Sequence, residues 1–202
     1  LVSPDLAPQG DHRCGEARTK VDLGENRSLS QHKVRITCVD ATEFPAVSSW
    51  FDAEEAETGG TPWALVTAAG SYGAIGPFID TDFKEWERGI QINLMGPAYA
   101  AGAFAIKLVS QKRDGRIVLL SGGGATQPLP NFSNYCASNS GIVRFGETLA
   151  HELKDHHISV NSIAPGAINT RFVDDVIQAG PEKAGRVMYE KAMKQKGDPG
   201  VG

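Results

Sequence analysis

The side chains best placed to do chemistry lie in one stretch, residues 115–145, which reads GRIVLLSGGGATQPLPNFSNYCASNSGIVRF. Residues 115–120 are a short apolar run led by β-branched side chains, which predicts a buried strand. Ser121 and three glycines close it, so the backbone turns there. From about Ser133 the residues Ile142, Val143, Phe145, Leu149 and Leu153 fall at helical spacing on one side. Strand, glycine turn and helix put Ser121 at a strand's carboxyl end and Tyr135 on the first turns of the helix. In an open α/β sheet that is the crevice in which ligands bind. A phenol and a hydroxyl in such a crevice are side chains able to exchange a proton or a hydrogen bond with a bound ligand. A phenol with a pKa of about 10 is a poor base at neutral pH, so a neighbouring cation must favour the phenolate. The residue stacked four positions after Tyr135 is Asn139, which hydrogen-bonds but brings no charge.

The rest of the chain supplies the elements that position this stretch. Strands are predicted at residues 33–39, 63–67, 116–120 and 158–163. Helices are predicted over 46–56, ended by Gly59 and Gly60, over about 81–111, and from 133 onward. Gly96 and Pro97 inside the second helix predict a kink, because proline removes a backbone donor and clashes with the preceding turn. Strands alternating with helices argue for parallel βαβ units with near-continuous apolar strands. Residues 1–32 show no sustained period and predict an irregular segment. Residues 33–202 form the α/β domain, with the tail from Asn169 a helical excursion. There is no internal repeat.

The composition narrows the function classes. With 202 residues the chain suits one substantial core. A net charge of −4 gives no reason to expect nucleic acid or an anionic membrane as partner. No stretch approaches the roughly 18 apolar residues of a membrane span, and the start lacks a basic-then-apolar signal pattern. Cys14, Cys38 and Cys136 are odd in number and scattered, which suits a reducing compartment, so a cytoplasmic protein is expected. His12 and Cys14 lack a second ligand pair, so no metal site is expected. The glycines after Ser121 lack the phosphate-cradle pattern and read as a turn. His151, His156 and His157 fall on a helix's polar side or end, where solvation is expected.

Taken together, the strand-end Ser121, the helix-borne Tyr135 and the elements around them resemble the short-chain dehydrogenase/reductases over residues 33 to about 175. The resemblance implies a Rossmann-type doubly wound parallel sheet in three α/β/α layers. It also implies a nicotinamide cofactor, NAD or NADP, and interconversion of a small alcohol and carbonyl compound. Tyr135 would then be the general acid/base and Ser121 would hydrogen-bond the substrate oxygen. Asn93, in QINLMG, matches the helix asparagine that supports a proton-relay water. Asp40 stands where the family places an aspartate near the adenine; alternatively it caps the next turn. Ala68, Ala69 and Gly70 resemble a variant of the family's Asn-Asn-Ala-Gly element. Pro165 and Gly166, with Ile168 and Thr170 beyond, resemble the segment that holds the nicotinamide carboxamide. The family has lysine where this chain has Asn139, a residue that can still hydrogen-bond the nicotinamide ribose. The common serine-to-tyrosine spacing is thirteen, which falls on Gly122, and a one-residue loop insertion would restore Ser121. The family's glycine-rich pyrophosphate turn has no counterpart before Asp40, nor its last helix and strand a counterpart after Gly202, so a domain incomplete at both ends is expected. Homodimers or homotetramers packed through the helices at 81–111 and 133–155 are implied as well. The rival expectation is a catalytically impaired homologue that serves as a binding or interaction module.

Overall fold

A computed structural model describes residues 37–166 and 168–197. The expectations for residues 1–32, including His12 and Cys14, lie outside the described residues. Helix α1 (Phe44–Thr58) starts two residues before its expected position, because Pro45 is tolerated in a first turn whose N–H groups lack partners. It stops at Gly59, whose left-handed backbone (φ 75°) lets its N–H reach the Glu55 carbonyl at 2.9 Å.

Three parallel strands come next, β1 (Ala64–Thr67), β2 (Gly115–Leu120) and β3 (Ile158–Ile163), in spatial order β1-β2-β3. Their register aligns Leu65 with Ile117 and Ile117 with Val160. This is the Rossmann-type α/β fold that the strand and helix alternation predicts. Leu65, Ile117, Leu119, Ile158 and Val160 form one buried core with Val47 and Phe51 of α1, Phe104 and Leu108 of α3 (Gly96–Ser110) and Ile142 of α4 (Ser133–Glu152). Alternate strand positions, among them Val66, Arg116, Ser159 and Asn161, are exposed, as a period of two requires.

The expected strand at 33–39 is not found in its described part. Thr37, Cys38 and Val39 pair with no strand, and Val39 contributes only a side chain packed against the core. A strand gains its backbone pairs beside a neighbour, and the described sheet offers none at this point. Cys136 is a free, half-buried thiol, whereas Cys38 is disulfide-bonded, which departs from the reading of the cysteines as reduced thiols.

The helix expected over 81–111 runs from Phe83 to Ser110 in three parts: α2 (Phe83–Ile90), a π-helical turn (Gln91–Met95) and α3. Asp82 caps its start by accepting the Lys84 N–H at 2.8 Å. Pro97 would clash with the carbonyl four residues earlier, so the turn before it opens and Gly96 N–H bonds Gln91 instead. These 28 residues are long and apolar enough to cross a membrane, contrary to the sequence expectation. Ala101, Phe104 and Leu108 are nevertheless fully buried in the core, which accounts for the apolar composition. Lys107 ties α3 to α1 with ion pairs of 2.6 Å to Asp52 and Glu55.

Beyond β3 the tail forms α5 (Arg171–Ala184), broken at Gly180 before Pro181, and α6 (Arg186–Lys196). Both pack in a second apolar cluster around Phe132, Val173 and Val176, which also takes in Tyr72, Leu129 and Tyr135.

Phe104 is fully buried, and its ring lies 5.8 Å from that of Phe51. Phe104→Ala is expected to lower unfolding free energy by about 3–5 kcal/mol. Ile106→Ala on the exposed face (63% exposed) should change it by less than about 0.5 kcal/mol. Urea-unfolding midpoints of the two variants check both.

Candidate active site

Tyr135 is the third residue of α4, and the helix begins there because Phe132 holds the entry fully buried while Ser133 accepts the Trp86 indole N–H at 3.0 Å. The Tyr135 ring is half-buried, and its hydroxyl has no hydrogen-bond partner among the described residues. Gly122 faces that hydroxyl so closely that a Cβ on residue 122 would overlap the phenol oxygen. The glycine turn after β2 is therefore a steric requirement of this tyrosine position as well as a way to reverse the chain.

Ser121 faces elsewhere. Its N–H continues the sheet to Ile163 at 2.8 Å, and its hydroxyl donates to the Asn139 backbone oxygen at 3.2 Å and side-chain oxygen at 3.3 Å. The Asn139 amide donates to the Tyr135 carbonyl at 2.9 Å. Asn139 is 5% exposed, so the amide that replaces a lysine is folded into the wall of the crevice. Its oxygen and one amide hydrogen bond serine and its own helix, so it is turned away from any ribose.

Asn93 lies in the π turn and is buried. Its side chain accepts the Ser71 N–H at 2.8 Å and donates to the Ser71 carbonyl at 2.7 Å, with a further contact to Ser138 at 3.3 Å. It thus clasps the loop after β1 to both the long helix and α4. One residue on, the Tyr72 carbonyl accepts from the fully buried Asn134 at 2.8 Å, which fits between Gly73 and Gly89 where a Cβ on either would collide with it. Tyr72 is placed edge-on against Tyr135, with ring centroids 4.7 Å apart. Gly70 lies beneath Phe172, since a Cβ there would come within 3.2 Å of that ring.

The site residues expected from sequence fall in two groups. Gly70, Asn93, Ser121, Tyr135 and Asn139 converge on the β2–α4 crevice. Asp40 turns inward on its own loop, accepting the Thr42 N–H at 2.9 Å and hydroxyl at 2.7 Å, the turn-capping arrangement. Pro165, Gly166, Ile168 and Thr170 are exposed after β3, and Ile168 gives its carbonyl to Gln195 at 3.0 Å. Ala69 sits half-buried at the end of β1. Sequence reasoning missed Gly122, Tyr72 and Phe172 as site residues. The spacing of thirteen before Tyr135 points to the first. Contacts between rings far apart in sequence leave no trace in local pattern.

Burial raises the Tyr135 pKa above its usual value, and Cys136 adds to the rise. Burial, then Tyr135 and Asp175, push Tyr72 up to about 12. Among the described residues no lysine or arginine offsets either shift. Both phenols are neutral at neutral pH. An unfolded tyrosine ionises near about pH 10, whereas the folded Tyr72 holds its proton to about 12. Stability from this group is therefore full below about pH 10 and is lost as pH rises through about 12. Denaturant midpoints measured from pH 8 to 12 should fall over that window, and less steeply in Tyr72→Phe.

The sequence matches the profile described as short chain dehydrogenase over residues 13–180. It is 33% identical over 135 residues to the probable oxidoreductase EphD of Mycobacterium bovis, covering 67% of this chain and 22% of that protein. It is 34% identical over 150 residues to 3beta-hydroxysteroid dehydrogenase 1 of Eggerthella lenta, covering 71% of this chain and 56% of that one. The crystal structure of levodione reductase superposes with a TM-score of 0.71 at 25% identity, covering 80% of this chain and 62% of the other. The chain thus spans between a fifth and about half of the length of these curated relatives.

Proposed function

The chain belongs to the short-chain dehydrogenase/reductase family, and on that premise we propose that it is an NAD(P)-dependent oxidoreductase that interconverts an alcohol and a carbonyl compound, with carbonyl reduction its favoured direction. The observation that carries this reading is the Tyr135 hydroxyl: unbonded, at the carboxyl ends of the strands, and kept neutral by burial. A neutral phenol is a competent proton donor to an oxygen that is becoming an alkoxide, and a poor acceptor from an alcohol.

The exposed Pro165, Gly166, Ile168 and Thr170 beyond β3 offer an open edge for the nicotinamide end of the cofactor, with Ala69 and Gly70 across from them. Asn139 does not fit the ribose role, because its amide is bonded inward to Ser121 and Tyr135. When bound, the cofactor supplies the hydride that reaches the carbonyl carbon. Tyr135 donates its proton to the carbonyl oxygen. Ser121 and Asn139 brace α4 against β2, which fixes the tyrosine's depth in the crevice. Asn93 positions the Ser71–Tyr72 backbone that forms the opposite wall. Exposed Phe78, Ile79 and Phe83 at the start of the long helix support self-association as a homodimer or homotetramer, which sedimentation equilibrium reports.

One observation favours the second reading, a catalytically impaired homologue that binds but does not turn over: among the described residues no cation acts on Tyr135 to assist its ionisation. Titration with NADH and NADPH, followed by nicotinamide fluorescence, separates the two when paired with assays of carbonyl reduction. Under the enzyme reading, Tyr135→Phe lowers kcat by at least about 10²-fold. Reduction by the parent chain stays flat with pH past neutrality, since burial holds the Tyr135 phenol above its ordinary value of about 10. Alcohol oxidation rises roughly tenfold per pH unit toward that point, since it needs the scarce phenolate. Asn139→Lys should move that rise to lower pH. Saturable cofactor binding without turnover in either direction would establish the second reading instead.

A further inference from the structure

Tyr135 shares its crevice with rings, not with charges. Tyr72 packs edge-on against Phe132 at 4.9 Å, Tyr135 at 4.7 Å and Phe172 at 4.8 Å between centroids. Phe172 is the second residue of α5 and only half-buried. The Tyr135 and Phe172 centroids stand 6.1 Å apart with the rings tilted by 59°, so these two do not meet face to face.

Among the described residues most polar groups nearby are engaged, the buried Asn134 Oδ1 being an exception. Asn93 holds Ser71, the Asn134 amide hydrogen holds Tyr72, Ser138 bonds the carbonyls of Asn134 and Tyr135, and Ser121 bonds Asn139. A polyhydroxylated substrate would lose its hydration here and find few donors and acceptors in return. The ionisable side chain acting on the ring cluster is the Asp175 carboxylate, 3.8 Å from Arg171. Its charge opposes a phosphate or carboxylate. Phe172 follows Pro165 and Gly166, both exposed, the latter with a left-handed backbone (φ 84°).

We propose that Phe172 and Tyr72 are the specificity-determining residues of this site, and that they select a planar, uncharged aryl or polycyclic carbonyl compound whose ring lies against Phe172 while its carbonyl oxygen meets the Tyr135 hydroxyl. The inference rests on Tyr135 being the acid of the proposed reaction. Aromatic contact supplies the affinity, edge or face against the substrate ring, and the unbonded phenol supplies the single polar anchor. Gly70 is part of the same device, because any side chain there would displace Phe172.

The test uses the full chain and three probes: 9-fluorenone as the flat aryl ketone, cyclohexanone as a small ketone, and fructose 6-phosphate as a charged polyol. Binding by calorimetry and kcat/KM with reduced cofactor are measured for the parent, Phe172→Ala, Phe172→Leu and Tyr135→Phe, with melting curves for each. The expected result is measurable binding of fluorenone and none of the sugar phosphate. Phe172→Ala should lose at least tenfold in fluorenone affinity and in the fluorenone-to-cyclohexanone ratio of kcat/KM, a ratio that a general loss of activity does not move. If Phe172→Ala melts below the assay temperature, Phe172→Leu keeps the apolar volume without the ring and should still lose the ratio several-fold. Preference for the sugar phosphate, or an unchanged ratio in a folded Phe172 variant, overturns the proposal even where Tyr135→Phe abolishes turnover. Fluorenone binding that depends on Phe172, with no turnover of any probe, leaves the aromatic site in place and removes the oxidoreductase reading.

Discussion

The buried amide of Asn93 is the interaction on which the site's geometry depends. It pairs with both backbone groups of Ser71 in the manner of a sheet ladder, although the loop after β1 has no strand beside it. Without that pairing two backbone groups of a half-buried loop would lose their partners, each at a cost of about 1–3 kcal/mol. The amide also reaches Ser138 on α4, so one side chain joins the long helix, the loop and the helix that carries Tyr135. The π turn is what aims it: Pro97 forces the ladder open at residues 91–95, and the buried side of that wider turn carries Asn93 toward the loop. A proline in the core helix and a tyrosine at the crevice are thereby linked through one amide.

The same economy of polar groups governs the β2–α4 junction. Ser121 and Asn139 satisfy each other, and Asn139 returns its amide hydrogen to its own helix. A lysine at this position would have to extend its ammonium out of a 5% exposed site, toward the crevice mouth, to remain hydrated. With asparagine there, the junction closes into a neutral network and the phenol above it is left to the effect of burial alone. The substitution therefore changes the electrostatics of Tyr135 while preserving the scaffold that holds it.

The sequence made the scaffold legible wherever one physical signal dominated. Apolar runs located β2 and β3, helical spacing located α4, and glycine in the left-handed region closed α1. The strand expected at 33–39 rested on alternation alone, and alternation describes a chain that is ready to pair without showing that a neighbour exists. The helix Phe83–Ser110 was legible as one element with a kink at Gly96 and Pro97, but charged residues in its first turns hid how long its apolar stretch is, and the π turn emerged only from the bonded backbone. Within the site, Tyr135, Ser121, Asn93 and Asn139 were legible as positions, but their hydrogen-bond partners were not. An asparagine pattern cannot say whether its amide faces a cofactor or a serine.

In chemical terms the site divides its labour between depth and charge. An acid/base residue in a polar, cation-lined site can work in both directions, because its two protonation states are close in free energy. Tyr135 is instead set among rings, beside a glycine that leaves room for its oxygen and no polar side chain to bond it. Such a phenol rests protonated at neutral pH, and its phenolate is scarce. Its orientation is correspondingly secure, since Asn139 and Ser138 hold its carbonyl and Tyr72 holds its ring. Under the proposed reaction, the rings that bury the phenol are also the surface a substrate would meet, so the protonation of Tyr135 and the choice of substrate would be two consequences of one packing arrangement.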